Sequence, residues 1–145
     1  MWHQRVVLRL GAALENYLNR YPGAGVGFTS PADISWSQDV LVEPDVFVVA
    51  PAEARTLDWA HMPTLRLVAE VLSPSTTRND RVLKRLRYRE AGVPVYWVVD
   101  ADQQSVEVWA PMDDFPSIER ERLRWHPPLA AEPFTLSLEE LFRPI

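Results

Sequence analysis

The chain predicts an α/β fold, a mixed β-sheet flanked by helices, and three observations carry that expectation. Residues 65–100 read as strand, turn, helix, strand. An apolar run from Leu65 to Leu72 ends at Ser-Pro-Ser, a helical pattern follows as far as Gly92 and Pro94, and a second apolar run spans Val95 to Val99. This is a βαβ unit. An amphipathic helix stands ahead of it, and alternating segments lie on both sides. At 145 residues with 47% hydrophobic content, a single domain over 1–145 can bury a core without staples.

In chain order, His3 to Tyr21 carries Val6, Val7, Leu10, Leu14, Tyr17 and Leu18 at helical spacing and stops at Pro22-Gly23. Val26 and Phe28, then Ile34 and Trp36, alternate with small or polar residues around Ser30-Pro31, as short antiparallel strands do. Val40 to Ala50 is a longer β segment broken by Pro44-Asp45; proline disfavours a regular central ladder, so Asp45 is expected at a strand start or bulge. Residues 51–63 read as a surface excursion. Ser105 to Trp109 alternates and pairs with Val95 to Val99 through a turn at Ala101-Asp102-Gln103. Arg120 to Trp125 is a further strand. Leu136 to Phe142 is a closing helix, capped by Ser137 with Glu140 three residues on.

Composition narrows the chemistry. The chain has no cysteine, hence no disulfide, thiolate metal site or cysteine nucleophile. It shows no signal peptide and no apolar run long enough to cross a bilayer, so a soluble cytoplasmic protein is expected. The net charge of -5 argues against a nucleic-acid partner until its distribution is read. From Arg78 to Glu90, six cations face two carboxylates, which leaves the rest of the chain at -9. Binding follows the local patch. No Gly-x-Ser-x-Gly elbow is present and the histidines are scattered, which disfavours a metal-independent hydrolase.

Two carboxylates stand out. Glu70 sits among Val68, Ala69, Val71 and Leu72, where a strand buried on both faces carries apolar residues. If its strand pairs with the one that Asp45 opens, the two side chains converge at one sheet edge. Hard oxygen ligands of that kind bind Mg²⁺ or Mn²⁺, with water and a phosphate completing the shell. The plainer alternatives are a turn role for Asp45 and a salt-bridged edge carboxylate for Glu70.

On the following helix, Val82, Leu83 and Leu86 are expected to form the core face and Arg78, Arg81, Arg85 and Arg89 a solvent stripe. Asp80, Lys84 and Arg87 share a third face. Lys84 is the only lysine, against fourteen arginines. A compact, tunable ammonium there suggests chemistry that guanidinium does not replace. The alternative is an Asp80–Lys84 helix pair, worth only about 0.2–0.5 kcal/mol.

Together these residues carry a resemblance. Pro44-Asp45, the block Glu70-Val71-Leu72-Ser73-Pro74-Ser75, then Asp80 with Lys84, Tyr88, Gly92-Val93 and Tyr96-Trp97 resemble the putative restriction endonuclease family, a domain of unknown function within the PD-(D/E)XK nuclease superfamily. The resemblance covers His3 to Trp109. It implies a restriction-endonuclease-like core in αβββαβ order, with Asp45 and Glu70 as metal ligands for Mg²⁺ or Mn²⁺. It also implies a displaced catalytic lysine: the superfamily's usual position, two residues after the glutamate, is Leu72 here, and Lys84 matches the place this family uses instead. His3 matches a histidine at the helix start and, with Asp80, is a possible auxiliary residue. Members ordinarily begin with several tens of residues that include a Gly-Glu-Leu strand, so a domain without that extension and its acidic residue is implied.

The function expected on these grounds is metal-dependent hydrolysis of DNA phosphodiester bonds by Asp45, Glu70 and Lys84, with Arg78, Arg81, Arg85 and Arg89 on the phosphate backbone. A solvated helix face is the alternative for the arginines. Tyr88, Tyr96 and Trp97 read as core or dimer-interface aromatics. The alternative for the whole chain is a catalytically inactive nuclease fold acting as a dimeric or nucleic-acid-binding scaffold. An exposed strand edge and six tryptophans suggest a homodimer in either case.

Overall fold

The computed structural model describes residues 1–61 and 64–145. It opens with α1 (Trp2–Arg20), which buries Val6, Leu10, Leu14, Tyr17 and Leu18 along one stripe, the spacing that an amphipathic helix presents to a core. Four short strands follow: β1 (Val26–Thr29), β2 (Ile34–Ser37), β3 (Val40–Val42) and β4 (Val46–Val49). The helical turn α2 (Pro51–Ala54) leads to the βαβ unit of β5 (Leu67–Val71), α3 (Arg78–Glu90) and β6 (Tyr96–Asp100). The chain ends with β7 (Ser105–Trp109), β8 (Ser117–Glu119), β9 (Arg122–Trp125), β10 (Phe134–Ser137) and α4 (Leu138–Leu141).

The main sheet has the order β1-β4-β5-β6-β7-β8, with β5 and β6 parallel and its other pairs antiparallel. Alternation sends successive side chains to opposite faces. Val46, Val48, Leu67, Ala69, Trp97 and Val99 pack in one cluster with α1, whereas Phe47, Val68, Tyr96 and Val98 pack in the other with Tyr88 of α3. A helix thus covers each face. No helix among the described residues is long and apolar enough to cross a membrane.

Several boundaries differ from expectation. β1 pairs with β4 and β2 with β3, so the two alternating segments around Ser30-Pro31 belong to different sheets. The expected surface excursion holds Trp59, which packs edge-on against Phe28 and Phe47 at 4.8 and 5.5 Å; Met62 and Pro63, at its end, lie outside the described residues. The strand over residues 120–125 begins at Arg122 and pairs with β10, in a region where no strand was expected. The closing helix accordingly starts later, at Leu138. Its cap is as expected: Ser137 Oγ accepts the Glu140 N–H at 3.4 Å.

The largest correction is the rotation of α3. Val82, Leu83 and Leu86, expected in the core, are 44%, 48% and 38% exposed, and the one fully buried residue of the helix is Tyr88. Arg81, Lys84, Arg85 and Tyr88 form the inward stripe. The physical reason is the sheet face beneath, where Glu70 and Glu107 offer carboxylates: Lys84 Nζ lies 3.4 Å from Glu70 Oε2, and Arg81 Nη2 lies 2.6 Å from Glu107 Oε2. Arg85 places its guanidinium 4.6 Å from the centre of the Trp109 ring. Charge complementarity outweighs the burial of three aliphatic side chains.

Candidate active site

Register builds the site. β4 and β5 run antiparallel with Val46 opposite Ala69, so the next step along both strands sets Asp45 across from Glu70. Glu70 stands beside Val98, and Val98 opposite Glu107. Asp45, Glu70, Val98 and Glu107 therefore form one row across the face that α3 covers. Asp45 lies just before β4, as its proline neighbour suggests, and its Oδ2 accepts the Val71 N–H at 2.7 Å. This bond ties the first carboxylate to the strand that carries the second.

Both ends of α3 are fixed by short-range bonds. Thr77 caps the start: its hydroxyl accepts the Asp80 N–H at 3.1 Å, and Asp80 Oδ2 accepts the Thr77 N–H at 3.2 Å. That reciprocal cap holds the Asp80 carboxyl below its ordinary pKa and engages one of its oxygens at the helix start. At the other end, the Gly92 N–H donates to Arg89 O and the Val93 N–H to Tyr88 O. Gly92 adopts φ +70°, the left-handed conformation this termination requires and glycine supplies without strain. The helix is thereby set so that Lys84 and Tyr88, one turn apart, reach the same carboxylate.

Glu70 is 6% exposed. Its Oε1 accepts the Tyr88 hydroxyl at 2.8 Å and its Oε2 faces Lys84 Nζ at 3.4 Å. Burial pushes the Glu70 carboxyl up to about 7; Lys84 and Tyr88 pull it down, and the Asp45 charge adds to the rise. Burial, with the Glu70 charge beside it, likewise holds the Tyr88 phenol well above its ordinary range, so Tyr88 stays a neutral donor. His3, on the first turn of α1, brings Nε2 to 3.4 Å from Asp45 Oδ2. Thus Asp45, Glu70, Lys84 and His3 come together.

The four arginines divide. Arg81 and Arg85 are held by Glu107 and Trp109, while Arg78 and Arg89 are exposed. Sequence reasoning missed the Tyr88 hydroxyl, although its spacing of four from Lys84 puts both on one helical stripe. It also missed Glu107, whose Oε1 accepts the Trp109 indole N–H at 3.1 Å, and the pairing of Glu43 with Asp33, which raises the Glu43 pKa near Lys84.

Asp45 and Glu70 suit a hard divalent cation. Two carboxylates on neighbouring segments of the sheet, one of them nearly buried beside Lys84, match the habit of Mg²⁺ and Mn²⁺, which take one or two protein carboxylates and fill the shell with water and phosphate. Among the described residues no group of three or more His, Asp or Glu side chains is placed to hold a metal ion.

The mixed, mostly antiparallel sheet carries a long helix on one face and a βαβ crossover helix on the other, and comparison with known proteins gives that arrangement its family. Residues 1–139 match the family model of Uma2, described as putative restriction endonuclease, and the chain belongs to that family. A solved structure with the same fold is a putative nuclease belonging to DUF820 from Anabaena variabilis ATCC 29413. It matches with a TM-score of 0.80 at 19% identity, over 98% of this chain and 80% of that one. No curated protein matches.

Proposed function

We propose that this protein is a metal-dependent endonuclease that hydrolyses DNA phosphodiester bonds. The observation that carries this reading is the convergence of Asp45, Glu70 and Lys84 from three different elements, with Lys84 Nζ 3.4 Å from Glu70 Oε2. Asp45 and Glu70 would hold Mg²⁺ or Mn²⁺; bound there, the cation supplies an acidified water and neutralises charge on the phosphate. Lys84 is half-exposed and anchored on a capped helix, placed to orient the attacking water or to stabilise charge that develops on the phosphate oxygens. Asp45 is kept in position by the Val71 N–H, and the same Oδ2 lies 3.4 Å from His3 Nε2. Arg78 and Arg89, exposed at the two ends of α3, are the cations free to meet a DNA backbone, which confers affinity without sequence preference. We further propose a homodimer, since Val82, Leu83 and Leu86 leave an apolar strip on the outside of α3.

A second reading, an inactive nuclease fold that binds nucleic acid as a scaffold, is favoured by the donor set of only two carboxylates. Nicking of supercoiled plasmid with MgCl2 or MnCl2 separates the two. The expected result is metal-dependent nicking and a metal-induced rise in melting temperature, both lost in Glu70→Gln. Lys84→Met should keep the thermal shift and lose the nicking. Nicking that persists in Glu70→Gln overturns the assignment, and a wild-type chain with neither response supports the scaffold.

A further inference from the structure

The buried clamp on Glu70 does more than hold a side chain in place. Tyr88 and Lys84 project from one face of α3, and each takes a different oxygen of the same carboxylate: the phenol at 2.8 Å on Oε1, the ammonium at 3.4 Å on Oε2. The two contacts are unequal. Tyr88 is 1% exposed, its ring lies against Tyr96 at 4.8 Å and Trp36 at 6.3 Å, and its backbone carbonyl accepts the Val93 N–H in the helix termination. It has nowhere to go. Lys84, by contrast, has a side chain 41% exposed on a long flexible stem and a longer contact, so Oε2 is the oxygen that can exchange its partner.

We propose that Tyr88 is a positioning residue that engages Oε1, biases Glu70 toward offering a cation its other oxygen alone, and thereby favours a small divalent ion over calcium. The physical basis is the difference in coordination. Calcium takes six to eight oxygens and often both oxygens of a carboxylate, whereas Mg²⁺ and Mn²⁺ sites are satisfied by single oxygens in a compact shell. A phenol fixed by core packing occupies one of the two lone pairs of Oε1 and fixes the carboxylate's orientation, which disfavours the two-oxygen mode. Hydrogen bonds of this kind to a ligating carboxylate also set its orientation, and their loss lowers metal affinity by about 10–100-fold. The inference rests on the cation-holding role proposed for Glu70 and adds to it a determinant of which cation is held.

The test is calorimetric titration of the full chain with MnCl2, MgCl2 or CaCl2, each alone, for the wild type, Tyr88→Phe and Tyr96→Phe. The Phe substitution keeps the ring and its packing. In the wild type, Mn²⁺ and Mg²⁺ should bind more tightly than Ca²⁺. Tyr88→Phe should lose roughly 10-fold or more in Mn²⁺ affinity while Ca²⁺ affinity holds or rises, so that the preference shrinks or reverses. Tyr96→Phe removes a neighbouring hydroxyl with no bond to Glu70 and should leave the preference unchanged. A wild-type chain that binds Mn²⁺, with Tyr88→Phe showing the same Mn²⁺ to Ca²⁺ ratio, overturns the role of Tyr88 alone. A wild-type chain that binds none of the three overturns the metal reading as well. One measurement needs no variant: the Tyr88 hydroxyl proton should appear as a slowly exchanging NMR resonance that moves when Mg²⁺ is added. A resonance that stays put at saturating Mg²⁺ counts against the proposal whether or not the variant folds.

Discussion

Helices α1 and α3 cover opposite faces of one sheet and follow opposite rules. α1 buries Val6, Leu10, Leu14, Tyr17 and Leu18, and its charged and amide residues are exposed or half-buried. α3 turns Val82, Leu83 and Leu86 to the exterior and presents Arg81, Lys84, Arg85 and Tyr88 to the sheet. The first helix is held by apolar area. The second is held by its end caps, by two ion pairs and by a guanidinium over an indole. The difference shows what an amphipathic pattern assumes, namely that the partner surface is apolar. Beneath α1 that holds; beneath α3 the sheet carries Glu70 and Glu107, and the cationic stripe is the complementary one.

The comparison can be broken most severely on the α1 side. Leu10→Ala should cost about 2–5 kcal/mol of unfolding free energy in a denaturant titration, because a fully buried leucine leaves a cavity that its neighbours fill only in part. A loss under about 1 kcal/mol would mean that α1 is not the structural helix of the pair.

The next effect lies under α3 and depends on pH. The folded Glu70 carboxyl has its pKa raised from 4.5 to about 7. The folded state therefore binds more protons than the unfolded state between these values, and stability falls as pH rises through the window. The full penalty is present above it, on the order of 3 kcal/mol for the metal-free chain. Glu70→Gln should flatten this part of the profile and raise apo stability near pH 8. Thermal melts at pH 5 and pH 8 in chelator check both; a wild-type chain no less stable at pH 8 than at pH 5 would contradict the burial of a charged Glu70.

The smallest effect belongs to the outer strip. Leu83→Gln should change monomer stability by no more than about 0.5 kcal/mol, since the side chain is already half in water. If the strip is a contact between copies, the same substitution lowers the mass seen by light scattering. An unchanged mass with a large stability loss would put Leu83 in a core.

Much of the fold was legible because strands and helices announce themselves by period. Residues 65–100 alternate between apolar runs and a helical stretch with a clear glycine stop, and the βαβ unit follows. The row containing Asp45 and Glu70 was legible too, because a proline marks where β4 begins and a glutamate in an apolar run marks the exception. The rotation of α3 was not, because it depends on which strand residues share the face below. Glu107 joins that face through a register that local sequence does not fix. Tyr88 was hidden for a related reason: a tyrosine in a helix has one ring to bury and one hydroxyl to satisfy, and only the tertiary neighbour shows which requirement set its position. The separate β9–β10 pair was missed because Phe134–Ser137 is short and runs straight into the α4 cap.

The placement of Lys84 on a helix, and not in the strand beside Glu70, has a consequence for the life of the chain as it is made. During synthesis Asp45 emerges first, Glu70 next and Lys84 after it, and β6 must follow before β5 gains its parallel neighbour. Until α3 docks, Glu70 stands in water with ordinary acidity and no ammonium beside it. A nascent or partly unfolded chain therefore lacks the constellation altogether. No fragment that ends before α3 contains all three side chains.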